Sequence, residues 1–276
     1  MNKILEKSLK ELKKKKILNP ELDLKILLEH SSYIKENIIL SNVNLDKINL
    51  GFFKKLISKR LNSEPISKII NTKYFWKYKF YVNNYVLDPR PESELIIEQV
   101  LNNVKNKSRS LKILDIGTGS GCLAICLAKE LKNSKIVAID ISKQALKVAK
   151  INSINNNVEK RIIFKHQDIK NLIGKFDIIV SNPPYISQND YNELSNEIKL
   201  FEPKIALLGG KDGLKYYRIL AKNIDKIMKK NSIFVCEIGY NQLSKSKKIF
   251  SKSKLMLKKV SKDIQNIDRT LTFFNI

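Results

Sequence analysis

Beyond Ser110 the chain alternates short β-rich runs with helical stretches. Leu111 to Asp115, Lys135 to Asp140, Arg161 to Lys165 and Phe176 to Ser181 read as strands, and Cys122 to Leu131 and Lys143 to Asn152 as helices between them. Near-continuous apolar runs that alternate with helices fit a parallel sheet covered on both faces. Ser232 to Glu237, Leu255 to Val260 and Thr270 to Phe274 follow, the last two close enough in sequence to form an antiparallel pair.

The first sixty residues follow a different rule. Leu5, Leu9 and Leu12, then Leu22, Leu24, Ile26, Leu27 and Leu28, and later Phe52, Phe53, Leu56 and Ile57 recur at helical spacing. Asn19-Pro20 and Ser41-Asn42 read as breaks, so short amphipathic helices packed as a bundle are expected. From Lys73 to Val86 aromatic and β-branched residues alternate around Asn83-Asn84, a pattern for a β-hairpin joining two domains. The expected division is a helical domain over 1–72, a hairpin linker over 73–88 and an α/β domain over 89–276.

Composition narrows the setting. No apolar run approaches the length that crosses a bilayer, and Met1 to Lys16 lacks the apolar core of a signal peptide, so a cytoplasmic protein without membrane partners is expected. Cys122, Cys126 and Cys236 have no paired spacing, and with only His30 and His166 beside them no metal site is expected. The net charge of +25 allows nucleic-acid binding without requiring it. Of 52 basic residues only Arg60, Arg90, Arg109, Arg161, Arg218 and Arg269 are arginine, and Ile and Asn are abundant, the mixture an A/T-rich coding sequence produces.

Two motifs carry chemistry. Asp115-Ile116-Gly117-Thr118-Gly119-Ser120-Gly121 follows the first strand and opens a helix, where alternate glycines let the backbone approach a ligand. Asp140 ends the next strand, where an acid commonly takes ribose hydroxyls. The loop alone leaves NAD, FAD and S-adenosylmethionine open. Asp115, placed to accept from a cationic amino group, favours the last. Asp168 after the third strand is a candidate for the adenine amino group, and Ile169 for its ring face.

The second motif, Asn182-Pro183-Pro184-Tyr185, follows the strand Phe176 to Ser181. The Asn182 side-chain oxygen and the Pro183 carbonyl can each accept one N–H of a planar NH2 group. Two prolines restrict the backbone that holds these acceptors, and Tyr185 can lie flat against the substrate. That is equipment for methyl transfer to nitrogen, not hydride transfer, and Asn182 also counts among the cofactor contacts.

In this order the motifs resemble S-adenosylmethionine-dependent amino-methyltransferases. Pro89-Arg90-Pro91-Glu92-Ser93-Glu94 is similar to the Pro-Arg-Pro-Glu-Thr-Glu signature of the peptide chain release factor N5-glutamine methyltransferases, with serine in place of threonine. Phe201-Glu202-Pro203, Ala206-Leu207, Gly210, Asp212-Gly213-Leu214, Glu237-Ile238-Gly239 and Gln242 also look like that family. The resemblance implies a Rossmann-like seven-stranded methyltransferase sheet with a small N-terminal helical domain that helps hold the substrate, joined by a β-hairpin. It implies S-adenosylmethionine as cofactor and, as substrate, the glutamine of the Gly-Gly-Gln tip of class 1 release factors. Asn182, Pro183 and Tyr185 take the catalytic role, and with Pro184 hold the substrate; a monomer is expected. Ile169 stands where an aromatic residue is frequent. The alternative is a nucleic-acid methyltransferase acting on an adenine or guanine amino group. Arg90 and Glu92 are read as either a lid or a structural ion pair.

Overall fold

A computed structural model describes residues 2–34 and 37–275. In chain order the elements are α1 (Lys3–Lys14), α2 (Pro20–Ser31), α3 (Leu50–Leu61), α4 (Ile66–Ile69), β1 (Thr72–Phe75), β2 (Tyr78–Tyr81), α5 (Glu94–Asn103), β3 (Lys112–Ile116), α6 (Cys122–Glu130), β4 (Lys135–Asp140), α7 (Lys143–Asn155), β5 (Ile162–His166), β6 (Phe176–Ser181), α8 (Gln188–Glu193), α9 (Asn196–Phe201), α10 (Lys204–Leu207), α11 (Lys215–Ile227), β7 (Met228–Glu237), α12 (Leu243–Phe250), β8 (Met256–Lys262) and β9 (Asp268–Asn275). They form two compact units: Met1–Thr72 with Ser195–Phe201, and Lys73–Leu194 with Glu202–Ile276.

The first unit is helical. Asn2 caps α1 by accepting from the Ile4 amide, Asn49 caps α3 by accepting from the Phe52 amide, and Pro20 opens α2 where a missing N–H costs nothing. Leu5, Leu12, Leu24, Leu27, Leu28, Phe53, Leu56 and Ile57 form its buried core. Within it Arg60 Nε donates to Asp23 Oδ2 at 2.7 Å, and Arg60 Nη1 lies 3.3 Å from Glu197 of α9. Arg60 and Asp23 are both almost fully buried, so each compensates the charge of the other.

The second unit carries a seven-stranded sheet of order β5-β4-β3-β6-β7-β9-β8. The pairs from β5 through β7 are parallel, and β9 runs antiparallel to β7 and β8. Alternation along each strand sends side chains to two cores. Ile113, Ile136, Ala138, Ile178 and Val180 pack with residues of α5 and α6, while Leu114, Val137, Ile139, Ile179 and Phe234 pack with residues of α11 and α12. Strand order reverses direction between β3 and β6, which opens a crevice at the carboxyl ends of these two strands. Ile116 and Ser181, the last residues of β3 and β6, are register partners, and the Ser181 hydroxyl donates to the Ile116 carbonyl at 2.9 Å.

The hairpin turns at Trp76-Lys77, not at Asn83-Asn84. Trp76 adopts φ +56°, and its backbone N–H donates to the Glu94 carboxylate at 2.6 Å while its indole N–H donates to Glu130 at 2.9 Å. These anchors hold a conformation that local propensity disfavours. The end of β2 is fixed by Asn152 of α7, whose side chain accepts from the Tyr81 amide and donates to the carbonyls of Tyr81 and Ser120.

Candidate active site

The crevice holds a cavity lined by Gly117 and Gly119 after β3, Asp140 at the end of β4, Asp168 and Ile169 after β5, and Asn182, Pro183 and Pro184 after β6. These residues were expected at the site, and the β3–β6 register brings their loops together. Asp140 is tied on both oxygens: Gly119 donates to Oδ2 at 2.9 Å and Ser142 donates to Oδ1 at 2.8 Å. Burial raises its pKa above the ordinary carboxylate value against those donors. The carboxylate's remaining lone-pair capacity stays available for hydroxyl groups.

The other loop candidates sit differently. The Gly117 and Thr118 amides both donate to the Ile139 carbonyl, so the loop is held to β4 by N–H groups that do not reach a ligand. A side chain at Gly117 would meet nothing within 4 Å; with φ at +73°, the position keeps the backbone bare toward open space. Gly121 instead faces Ala149 and Ile125, each 3.1 Å from where its Cβ would stand, and so serves the approach of α6 to α7. Thr118, Ser120 and Asp115 are buried. Asp115 Oδ2 accepts from the Thr118 hydroxyl at 2.6 Å and from the Ala124 amide at 3.2 Å, whereas Oδ1 has no hydrogen-bond partner among the described residues. Burial pushes this carboxyl up to about 7.

Gly117 and Gly119, open toward the cavity, and the partly satisfied Asp140 beside them fit S-adenosylmethionine, whose ribose hydroxyls match Asp140; the expected Asp115, Thr118, Ser120 and Gly121 are not among the cavity-lining residues. Asp168 caps its own turn by accepting from the Lys170 amide at 3.0 Å. Ile169 is buried and supplies an aliphatic wall. The sequence reading missed Tyr216 of α11, which lines the same cavity. Only its place just after Asp212-Gly213-Leu214 could have signalled it.

Asn182 is oriented from behind. Its Nδ2 donates to Ser93 Oγ at 2.8 Å, Ser93 Oγ donates to Glu237 Oε2 at 2.5 Å, and Tyr185 OH donates to Glu237 Oε1 at 3.2 Å. Tyr185 is not among the cavity-lining residues; it packs against the α11/α12-side core. Its phenol is pushed up by burial and by the neighbouring Glu237. The backbone beyond it is clamped. Gln242 Nε2 donates to the Tyr185 carbonyl at 2.9 Å, and Gln242 Oε1 accepts from the Tyr217 hydroxyl and the Gly239 amide at 3.1 Å each. The Ile186 amide donates to the Leu207 carbonyl and the Gly209 amide to the Ile186 carbonyl. Thus Ala206-Leu207, Asp212-Gly213-Leu214, Glu237-Ile238-Gly239 and Gln242 are the seat on which the Asn182 loop rests.

Arg90 resolves as an ion pair, its Nη2 3.1 Å from Glu202 Oε1, while the Asp88 amide donates to Glu202 Oε2 at 3.2 Å. Glu202 is buried, so this pair pins the strap from Asp88 to Ser93.

The Methyltransferase small domain model matches residues 91–201. The chain is 37% identical to a release factor glutamine methyltransferase of Thermodesulfovibrio yellowstonii, over 86% of this chain and 90% of that protein. It is also 37% identical to a bifunctional methyltransferase of Rickettsia bellii, over 92% of this chain but 51% of that protein, so it spans about half the length of such relatives. A methyltransferase structure from Pyrococcus furiosus aligns with TM-score 0.53 at 18% identity, over 79% of this chain and 96% of that one, a likeness of fold. Taken with the glycine loop, the Asn182 tetrad and the seat that holds it, these likenesses place the chain in the release factor glutamine methyltransferase family.

Proposed function

We propose that the protein transfers a methyl group from S-adenosylmethionine to the side-chain amide nitrogen of the glutamine in the Gly-Gly-Gln motif of class 1 release factors. The observation that carries this reading is the shared cavity, which Gly117, Gly119 and Asp140 line together with Asn182, Pro183 and Pro184. An amide nitrogen is a poor nucleophile because its lone pair is delocalised into the carbonyl. Asn182 Oδ1, which accepts no hydrogen bond within the described residues, would take one N–H and the Pro183 carbonyl the other. Those bonds orient the nitrogen toward the sulfonium methyl and favour the tetrahedral geometry that develops during attack. Tyr185, expected to lie against the substrate, instead has its hydroxyl on Glu237 and would support the loop from behind. No strong base is needed first, because the N–H turns acidic only once nitrogen is alkylated. The bound cofactor supplies the electrophilic methyl.

The helical residues 1–72 are proposed to dock the release factor, and the cytoplasm is the proposed setting. Among the described residues no helix is long and apolar enough to cross a membrane.

The test combines the purified protein, labelled S-adenosylmethionine, a class 1 release factor, its glutamine-to-alanine variant, and RNA with DNA. A gain of one methyl on the Gly-Gly-Gln glutamine, absent from the variant, is expected. Label entering nucleic acid alone would overturn the reading in favour of a base amino group.

A further inference from the structure

We propose that Ser93 and Glu237 are positioning residues that set the polarity of the Asn182 side chain, so that its oxygen and not its NH2 group faces the substrate amide. The proposal rests on the reading of Asn182 as an acceptor. A primary amide is nearly symmetric in shape, so packing alone does not distinguish its two orientations. The wrong one would aim two donors at a substrate NH2 that also donates.

The choice is made by a chain of forced assignments. Glu237 is 1% exposed and, when ionised, can only accept. Ser93, 3% exposed, has one hydroxyl proton, and it goes to Glu237 Oε2 at 2.5 Å. Ser93 Oγ can then only accept from Asn182, which must turn Nδ2 toward it at 2.8 Å and leave Oδ1 for the cavity. Tyr185 OH occupies the second Glu237 oxygen, so neither carboxylate oxygen is left without a donor. The clamp is drawn from β7, from the Asp88–Ser93 strap that Glu202 pins, and from the loop after β6.

The mechanism carries its own titration. Protonated, Glu237 can donate to Ser93; the hydroxyl is then free to donate to Asn182, and the flipped amide becomes acceptable. The groups facing Glu237 are Glu92 of the strap, Tyr185 of the loop, Arg269 of β9, Tyr217 of α11, Cys122 of α6, Cys236 of its own strand and, through Tyr185, Arg90. Burial outweighs the Ser93 and Tyr185 hydrogen bonds and the Arg269 charge, and lifts the carboxyl to about 7.

The experiment compares wild type, Ser93→Ala, Ser93→Thr and Glu237→Gln. It reads kcat and KM on a class 1 release factor from pH 6 to 9, binding of S-adenosylhomocysteine by calorimetry, melting temperature, and the Asn182 side-chain NH2 resonances in asparagine-labelled protein. Ser93→Ala is expected to lower kcat by about 10- to 100-fold, the worth of a hydrogen bond within a charged network, with KM and cofactor affinity within about twofold. Ser93→Thr, which keeps the hydroxyl, is expected to restore turnover. Glu237→Gln is expected to match Ser93→Ala and to lose the rise of kcat with pH near 7. The Asn182 NH2 resonances should shift in Ser93→Ala and stay in place in Ser93→Thr. Wild-type kcat and unshifted NH2 resonances in a folded Ser93→Ala would overturn the proposal. If wild type itself leaves the release factor unmethylated, the substrate reading fails and the NH2 resonances alone decide the clamp.

Discussion

Asn182 Nδ2 and Ser93 Oγ, 89 residues apart in sequence, meet at 2.8 Å behind the cavity. The side-chain amide is therefore fixed through its nitrogen, and its remaining atom, Oδ1, is the one proposed to accept from the substrate. Asn182→Ala removes that acceptor without touching Asp140 or the glycine loop. Turnover is expected to drop about 100-fold or more, in line with removal of one preorganised group at a reacting centre, while calorimetry returns a cofactor affinity close to wild type. Affinity falling in step with turnover would show that the two halves of the cavity do not divide the work.

With Asp115 proposed as the partner of the cofactor's ammonium, cofactor binding is expected to be proton-linked. Its folded value of about 7 lies above the ordinary 3.8, so the buried site prefers the neutral acid. The sign follows: this group's contribution to apoprotein stability is complete below about pH 4 and is lost as pH rises toward 7. An ammonium bound at Asp115 would reverse the preference and expel the proton. Between pH 5 and 7 cofactor affinity is expected to rise with pH, and titrations in two buffers of different ionisation enthalpy should report proton release. Asp115→Asn should bind more weakly and lose both effects.

Gly213 tests the seat beneath the Asn182 loop. It has φ +75°, and a Cβ there would strike the Tyr185 carbonyl and lie 2.7 Å from Gln242 Nε2. Gly213→Ala is expected to lower kcat at least about tenfold by displacing that loop, since small misplacements at a reacting centre are costly. Calorimetry with S-adenosylhomocysteine separates this from a general loss of fold: binding should persist.

In the helical unit, Arg60→Ala leaves the Asp23 carboxylate buried without its guanidinium. Chemical denaturation is expected to show a loss of about 3 kcal/mol. The double variant with Asp23→Ala should cost less than the sum of the two single changes, because the stranded charge is gone.

The parallel sheet, the glycine loop, Asp140 and the Asn182 tetrad were legible because each is a local matter: strand and helix periods repeat within a few residues, and each motif lies within one loop. The antiparallel pairing of β8 with β9 follows from the same short-range spacing. The residues that aim the tetrad were not legible in that way. Ser93, Tyr217 and the pair Glu237 and Gln242 come from three separate segments, and their partnership exists only once β6 and β7 are paired and the strap is pinned by Glu202. The hairpin turn moved to Trp76 for a similar reason, since Glu94 and Glu130 hold it from a distance.

Sequence by itself therefore determined the kind of sheet and the edge at which the two motifs would lie. Tertiary structure decided what each residue meets: Gly121 meets α7, the Tyr185 hydroxyl meets Glu237 and Asn182 Nδ2 meets Ser93. It also decided which carboxyls sit near 7, because desolvation is a property of the assembled neighbours and not of the residue. Periodicity records which face of an element is apolar, whereas the direction of a hydrogen bond depends on which donor the folded chain delivers.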